Sequence, residues 1–337
     1  MDRIQKLMQQ LNTPYLVEQT DDLYYLTGLN LSKGRLFVSS SEVCLFVDGR
    51  YFAFAKRQFS HPVFMWEEQK AYFAKQSTIG FDGASTTYDA YLTLQKELPH
   101  ITWVTSPSPV KMLRLVKDAS EIAILKKSAK ITWAGYQEIV RRLRVGVSEE
   151  EIALDFEIYC RKNGASRLSF DPIIAFGENS AYPHHRAGKT RLEQDQIVLI
   201  DIGAVVDHYS ADMTRMVHFG TIDPQLLHFE QIVQQAQQKA ISQVRPGLNI
   251  RELDRIVREE FDRAHVKQLY THSLGHGIGL ETHEYPRIRI DGDDLVLQPG
   301  MVFTIEPGLY QPGLGGIRIE DMVLVTATGY ENFFAPG

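Results

Sequence analysis

Two carboxylates stand where apolar strand residues are expected: Asp201 directly follows IVLI, and Glu306 directly follows VFTI. Burying an ionised carboxylate is costly, so each must meet a cation, take up a proton or lie at a solvated strand end. Taken singly, an ion pair with arginine or lysine is the simplest account of either. Asp212 and Glu320 extend the set to four carboxylates in strand-like segments, and HSLGHGIGLETHE adds three histidines in a glycine-rich stretch. Carboxylates with an imidazole make a hard, oxygen-rich donor set that suits Mn²⁺, Co²⁺ or Fe²⁺, admits Zn²⁺, and is unlike a thiolate zinc site. Two such ions about 3.5 Å apart can share bridging carboxylates and a bridging hydroxide, which is a nucleophile at neutral pH, while both polarise a carbonyl.

The elements that must hold these side chains are legible as patterns. The segments IVLIDIGAVV, HYSADMTRMVHF, MVFTIEP and IRIEDMVLV are rich in Val, Ile, Phe and Met and read as strands. Between and before them lie helices. Asp118 with Glu121 forms a capping box, and Ile122, Leu125, Ala129, Tyr136, Val140 and Leu143 then recur at helical spacing. Ser148 with Glu151 opens a second helix ending near Gly164, Asp223-Pro224 a third, and Asn249 with Glu252 a fourth. The first hundred residues alternate short apolar runs (LFVSS, VCLFVDGRYFAFA, STIGFDG, ITWVTS) with helical stretches such as Tyr88–Leu98, again a mixed pattern. Pro107 and Pro109 among serines predict a connector, because proline neither donates to a ladder nor continues a helix. The expected organisation is a domain over 1–110, a linker over 111–117 and a second domain over 118–337. No internal repeat or low-complexity tract is legible.

At 337 residues, with 44% apolar residues, the chain can bury two cores. A net charge of -6 offers no clustered basic face, so nucleic acid is not an expected partner. MDRIQKLMQQ lacks the apolar stretch of a signal peptide and no run of about 18 apolar residues occurs, so no membrane span and a cytoplasmic location are expected. Cys44 and Cys160 are too few and too far apart for a disulfide framework or a zinc ribbon and read as small buried hydrophobes. The acidic Asp291–Asp294 patch reads as a solvated turn.

Residues 118–337 resemble the pita-bread metallopeptidases (family M24), which include methionine aminopeptidase, aminopeptidase P and prolidase. The resemblance rests on DIGAVVDHYSADMTR, with its two aspartates eleven apart, then HSLGHGIGLETHE, TIEPGLY and GIRIED, in that order. It implies an α/β (α+β) fold: a small α/β N-terminal domain followed by a pita-bread catalytic domain. It further implies two divalent ions per subunit, Mn²⁺ foremost, and a homodimer. Carried over by position, Asp201 resembles a terminal ligand of one ion, Asp212 and Glu320 the bridging carboxylates, and His276 and Glu306 the ligands of the other. Glu306 in such enzymes also shuttles a proton to the leaving nitrogen. His184, in SAYPHH, falls where the family has a histidine near the substrate, with the adjacent His185 leaving the register open. His283 matches the histidine that contacts the scissile amide. His272 belongs to the HSLGHGIG motif, Tyr310 carries a weak site role, and Arg318 is expected to orient Glu320 from the same strand face.

HSL before GHGIG, RIED at the last ligand and the extra N-terminal domain resemble the proline-directed branch rather than methionine aminopeptidase. Creatinase shares the two-domain plan but lacks the ligands, and non-catalytic relatives usually lose some of them. The expected substrate is therefore a peptide with proline at its second position. Within the branch the short N-terminal domain suggests an open channel and favours aminopeptidase P. Prolidase is the alternative: Arg287, eleven residues after His276, stands where some microbial prolidases keep an arginine, which the resemblance implies could hold a dipeptide's carboxylate, while similar PRI segments also fit aminopeptidases.

Overall fold

The apolar runs of the first hundred residues become the strands of one mixed sheet, because their Val, Ile and Phe side chains fit a pleated, half-buried surface. The computed structural model describes residues 2–334. By its contacts the chain divides into two units, Met1–Arg114 and Leu115–Gly337. In the first, six described strands lie in the order Val63–Met65, Val43–Val47, Arg35–Val38, Tyr15–Val17, Thr78–Asp82 and Thr102–Ser106. One core of Phe37, Phe46, Phe73, Ile79 and Leu94 packs between sheet and helices. VCLFVDGRYFAFA is not one apolar run: Asp48 turns the chain by accepting the amide of Arg50, separating the strand Val43–Val47 from the helix Phe52–Gln58.

The segment expected to be a connector is a short helix, Pro109–Arg114. Pro109 is tolerated because it stands at the first helical position, where an amide hydrogen would have no partner inside the helix. Division of the chain therefore comes after this helix rather than before it.

In the second unit the helices Ala119–Val140, Glu149–Lys162, Pro224–Ser242 and Arg251–Arg263 form where the capping signals placed them. Asp118 and Ser148 close capping boxes with Glu121 and Glu151. The first helix stops at Val140, short of Leu143, and its buried stripe is shifted. It runs through Leu125, Ser128, Ala129, Thr132, Gly135 and Ile139, while Ile122, Tyr136 and Val140 are only half-buried. Small residues win the inner face because the helix lies close to its neighbours. Ser128 donates to the Ala204 carbonyl, Thr132 accepts the Ala204 amide, and a Cβ on Gly135 would stand 2.7 Å from the Phe156 ring.

Its strands pair antiparallel throughout the two sheets that matter for the site. One runs Met213–Phe219, Gln196–Ile202, Ile173–Phe176. The other runs Glu284–Ile288, Gly275–Gly277, Val302–Ile305, Asp321–Val325, Tyr330–Asn332. A two-stranded ribbon, Gly308–Gln311 with Gly315–Arg318, precedes Glu320. The core beneath them includes Phe229, Val233, Leu253, Phe261, Phe303 and Ile317. Both cysteines are free and buried, and Asp291, Asp293 and Asp294 are exposed. No helix among the described residues is long and apolar enough to cross a membrane.

Candidate metal centre

Asp201 lies inside the strand Gln196–Ile202, opposite Thr214. Asp212 lies in the gap between Tyr209–Ser210 and Met213–Phe219, Glu306 just beyond Val302–Ile305, and Glu320 between Gly315–Arg318 and Asp321–Val325. Three of the four carboxylates are thus at strand ends, which frees them from the in-out alternation of a ladder. His276 is the middle residue of Gly275–Gly277. Its flanking glycines are dictated by close approach: a Cβ at 275 would stand 2.0 Å from the Thr304 carbonyl oxygen, and one at 277 would stand 2.4 Å from that of Tyr285.

These five side chains converge. Ligand atoms of Asp212, His276 and Glu320 all lie within 4.8 Å of one another. His276 Nε2 is 3.6 Å from Asp212 Oδ2 and 3.5 Å from Glu306 Oε1. Its Nδ1 donates to the Gly277 carbonyl at 3.1 Å, which leaves the Nε2 lone pair facing the carboxylates. Burial, and then His283, pushes the His276 imidazole down to about 3, so it stays neutral. Burial and the neighbouring carboxylates push Asp212 and Glu306 well above the usual carboxylate range, and Glu320 up to about 8. Asp201 Oδ1 and Glu320 Oε1 are buried without a hydrogen-bond partner among the described residues. Crowded carboxylates, an inward lone pair and two orphaned buried oxygens fit divalent cations, and the donors are oxygen and nitrogen only.

One arginine stands against this negative charge. Arg318 was expected to orient Glu320 directly, but its strand ends at Arg318 and the alternation with it. Its Nη2 instead pairs with Asp201 Oδ2 at 2.7 Å, and its Nε donates to Thr214 Oγ1 at 3.1 Å. Thr214 in turn donates to Glu320 Oε2 at 2.7 Å, so Arg318 reaches Glu320 only through that hydroxyl. Arg318 Nη1 also donates to the Tyr310 hydroxyl at 2.7 Å, and that hydroxyl lies 2.9 Å from His272 Nε2. Because His272 Nδ1 donates to the Ser273 carbonyl, Tyr310 is the donor to Nε2, and both His272 nitrogens are engaged within the protein. Burial pushes His272 down to about 4 and Tyr310 up to about 12.

A cavity of about 820 Å³ opens over the five side chains, and His184, His272, His283 and Arg287 stand on its wall. The His283 ring is 4.3 Å from that of His276, and burial and Arg287 hold its pKa below the ordinary histidine value. His184 is exposed to the cavity, whereas His185 Nε2 is 2.8 Å from Glu149 Oε2. Arg287 is the ladder partner of His276 and makes no ion pair among the described residues.

Two contributors were invisible in the sequence pattern. Thr214, two residues after Asp212, looks like an ordinary strand threonine. Glu149 looks like a first-turn helix acid, yet it is fully buried and accepts from Phe176 N, Asn179 Nδ2, His185 and Gly188 N, which ties down the irregular segment carrying His184. Its only legible signal was its place in the Glu149–Glu151 acidic run.

A mixed α/β unit that gathers carboxylates and a neutral histidine beneath an open cavity is built as a metal-dependent hydrolase. Residues 123–327 match the model of metallopeptidase family M24, and residues 1–116 match the creatinase/prolidase N-terminal domain. The chain belongs to metallopeptidase family M24, has the pita-bread fold and is a metallo-exopeptidase. Among curated relatives, the Xaa-Pro dipeptidase of Pyrococcus furiosus is 34% identical over 336 residues, covering 97% of this chain and 96% of that protein. Among solved structures, an Xaa-Pro dipeptidase from Bacillus anthracis superposes with a TM-score of 0.94 at 32% identity, over 99% of this chain and 96% of that one. An X-Pro aminopeptidase from Thermotoga maritima superposes with a TM-score of 0.90 at 30% identity, over 100% and 98% of the two chains.

Proposed function

We propose that this protein is an Xaa-Pro dipeptidase that hydrolyses the single peptide bond of a dipeptide ending in proline. The observation that carries the reading is the position of Arg287, opposite His276 across the ladder, on the cavity wall and without an ion pair among the described residues. A guanidinium so placed suits the carboxylate of a C-terminal proline, because the planar donor fork matches carboxylate geometry. Sequence reasoning favoured aminopeptidase P on the shortness of the N-terminal domain. Relatives named Xaa-Pro dipeptidase match over nearly the whole chain, this domain included, so its length does not separate the two activities and the preference reverses.

Asp201, Asp212, His276, Glu306 and Glu320 would hold two divalent cations, for which Mn²⁺ fits the oxygen-rich donors. When bound, the cations supply a water nucleophile at neutral pH and polarise the scissile carbonyl. The protein's own groups do the rest. Arg287 holds the proline carboxylate, and His283 donates to the carbonyl oxygen as it gains charge. Glu306 takes the proton of the attacking water and gives it to the proline nitrogen as the C–N bond breaks, leaving a free amino acid and proline. An Xaa-Pro bond has no N–H, so the leaving nitrogen gains its first proton in this step. Arg318, held by Asp201, Thr214 and Tyr310, keeps the ligands and His272 in place. The two buried free cysteines fit a cytoplasmic location, and a homodimer is proposed on family resemblance.

Proline release from an Xaa-Pro dipeptide and cleavage of an Xaa-Pro-Xaa tripeptide, compared on one Mn²⁺-loaded preparation, test this reading. Turnover of the dipeptide with little of the tripeptide is expected. Turnover of the tripeptide alone would return the protein to the aminopeptidases.

A further inference from the structure

We infer that Gln237 is a positioning residue for the metal centre, its buried amide setting the spacing between Glu306 and Glu320. This rests on the reading of those two side chains as metal ligands. The inner face of the helix Pro224–Ser242 presents Phe229, Ile232, Val233, Ala236, Ala240 and Ile241 to the core, and Gln237 interrupts it at 4% exposure. A primary amide in an apolar stripe is unfavourable unless its polar atoms are bonded. Gln237 Nε2 lies 3.2 Å from the Ile305 carbonyl, 3.1 Å from the Ile319 carbonyl and 3.2 Å from Asp321 Oδ2. All three partners only accept, so the nitrogen faces them.

Those partners sit where the ladder is interrupted. The strands Val302–Ile305 and Asp321–Val325 pair through Ile305 opposite Asp321, and one further step of the same register would set Glu306 opposite Glu320. Pairing is interrupted there and resumes in the same register at Gly308 opposite Arg318, with the Ile319 amide donating to the Pro307 carbonyl at 3.4 Å. The Glu306 amide turns to the carbonyl of Leu274, just before Gly275–Gly277, at 2.8 Å and the Glu320 amide to that of Thr214 in Met213–Phe219 at 3.2 Å, so each ligand is anchored to a different neighbouring segment. Gln237 bridges the carbonyls immediately before both ligands and is held in turn by Asp321, whose other oxygen accepts from Arg215 at 2.6 Å. One side chain thereby ties together the two backbone segments at the interruption, between the ladder pairs Ile305–Asp321 and Gly308–Arg318 that hold them on either side. A shift of a few tenths of an ångström in that spacing alters the distance over which two cations share ligands.

Calorimetric titration of the metal-free protein with Mn²⁺, and the electron paramagnetic resonance spectrum of the loaded protein, test the inference. Wild-type protein is expected to bind two ions per chain with a coupled spectrum. Gln237→Leu, which fills the stripe without a donor, is expected to weaken at least one ion about 10- to 100-fold and to change the coupling. Its metal-free form should unfold at a somewhat lower midpoint, because buried acceptors lose their donor, whereas the changes in ion affinity and coupling are readouts that a purely structural role would not move. Two ions bound at wild-type affinity with an unchanged spectrum would overturn the inference. If Gln237→Leu does not fold, Gln237→Met is measured in its place, and failure of both to fold would assign the amide to the fold alone. Fewer than two ions on the wild type would sink the two-metal reading itself, and the inference with it.

Discussion

Asp22 in the first unit and Asp201, Asp212 and Glu320 of the metal centre in the second are all buried, yet their surroundings differ in kind. Asp22 is 1% exposed, with one oxygen accepting from Arg114 at 2.7 Å and the other from Ser108 at 2.8 Å. Asp201 and Glu320 each keep a buried oxygen with no hydrogen-bond partner among the described residues, and Asp212 and Glu306 face other carboxylates. A carboxylate that serves the fold is given a donor for each oxygen. One that serves chemistry is left incomplete, and the fold tolerates the deficit because a cation completes it.

The sharpest way to break this comparison is at Glu306. Glu306→Gln keeps the shape and removes the proton carrier, and should lower kcat on the order of 10²–10⁴-fold in a proline-release assay. A near-wild-type rate would remove Glu306 from the proton transfer. Asp22→Ala tests the other side, because it removes from the interior the carboxylate that pairs with Arg114 and accepts from Ser108. It should cost about 3–5 kcal/mol in urea unfolding of the protein and leave Mn²⁺ stoichiometry unchanged. Arg287→Met comes next: loss of a charge-assisted contact should raise KM for the dipeptide about tenfold or more while sparing the tripeptide. Equal losses on both substrates would place Arg287 elsewhere in the reaction.

The smallest effect concerns protons. Glu320 is pushed from 4.5 to about 8 in the folded, metal-free protein, so the folded chain keeps a proton that the unfolded chain has released. That difference costs the metal-free protein stability as pH rises from about 4.5 toward 8, a loss that is absent below the unfolded value. Cation binding requires the deprotonated form, so Mn²⁺ uptake near pH 7 should release protons. Calorimetry in two buffers of different ionisation enthalpy measures this, and heats independent of buffer would count against it.

Much of the site was legible because coordination chemistry restricts residue types. Asp201, Asp212, His276, Glu306 and Glu320 can be found as polar residues in apolar or glycine-rich segments, and capping residues marked the starts of the helices. The interruption of strands at Asp212 and Glu320 was not legible, since neither glycine nor proline stands beside them and Ala211, Met213, Ile319 and Met322 all read as strand residues. Neither was the inner face of Ala119–Val140, where close approach selected Ser128, Thr132 and Gly135 over larger apolar neighbours.

By itself the sequence determined which side chains are available to bind cations, and in which order they occur along the chain. Only the tertiary structure decided their supports. Arg318 turned from Glu320 to Asp201, Thr214 became the link between them, Glu149 took hold of the His184 segment, and Gln237 came to lie across the ends of two strands. The physical reason is one of distance. A ligand is recognisable by its type, because few residues can meet a cation, whereas a support is any donor or acceptor that folding brings within about 3 Å of the right atom.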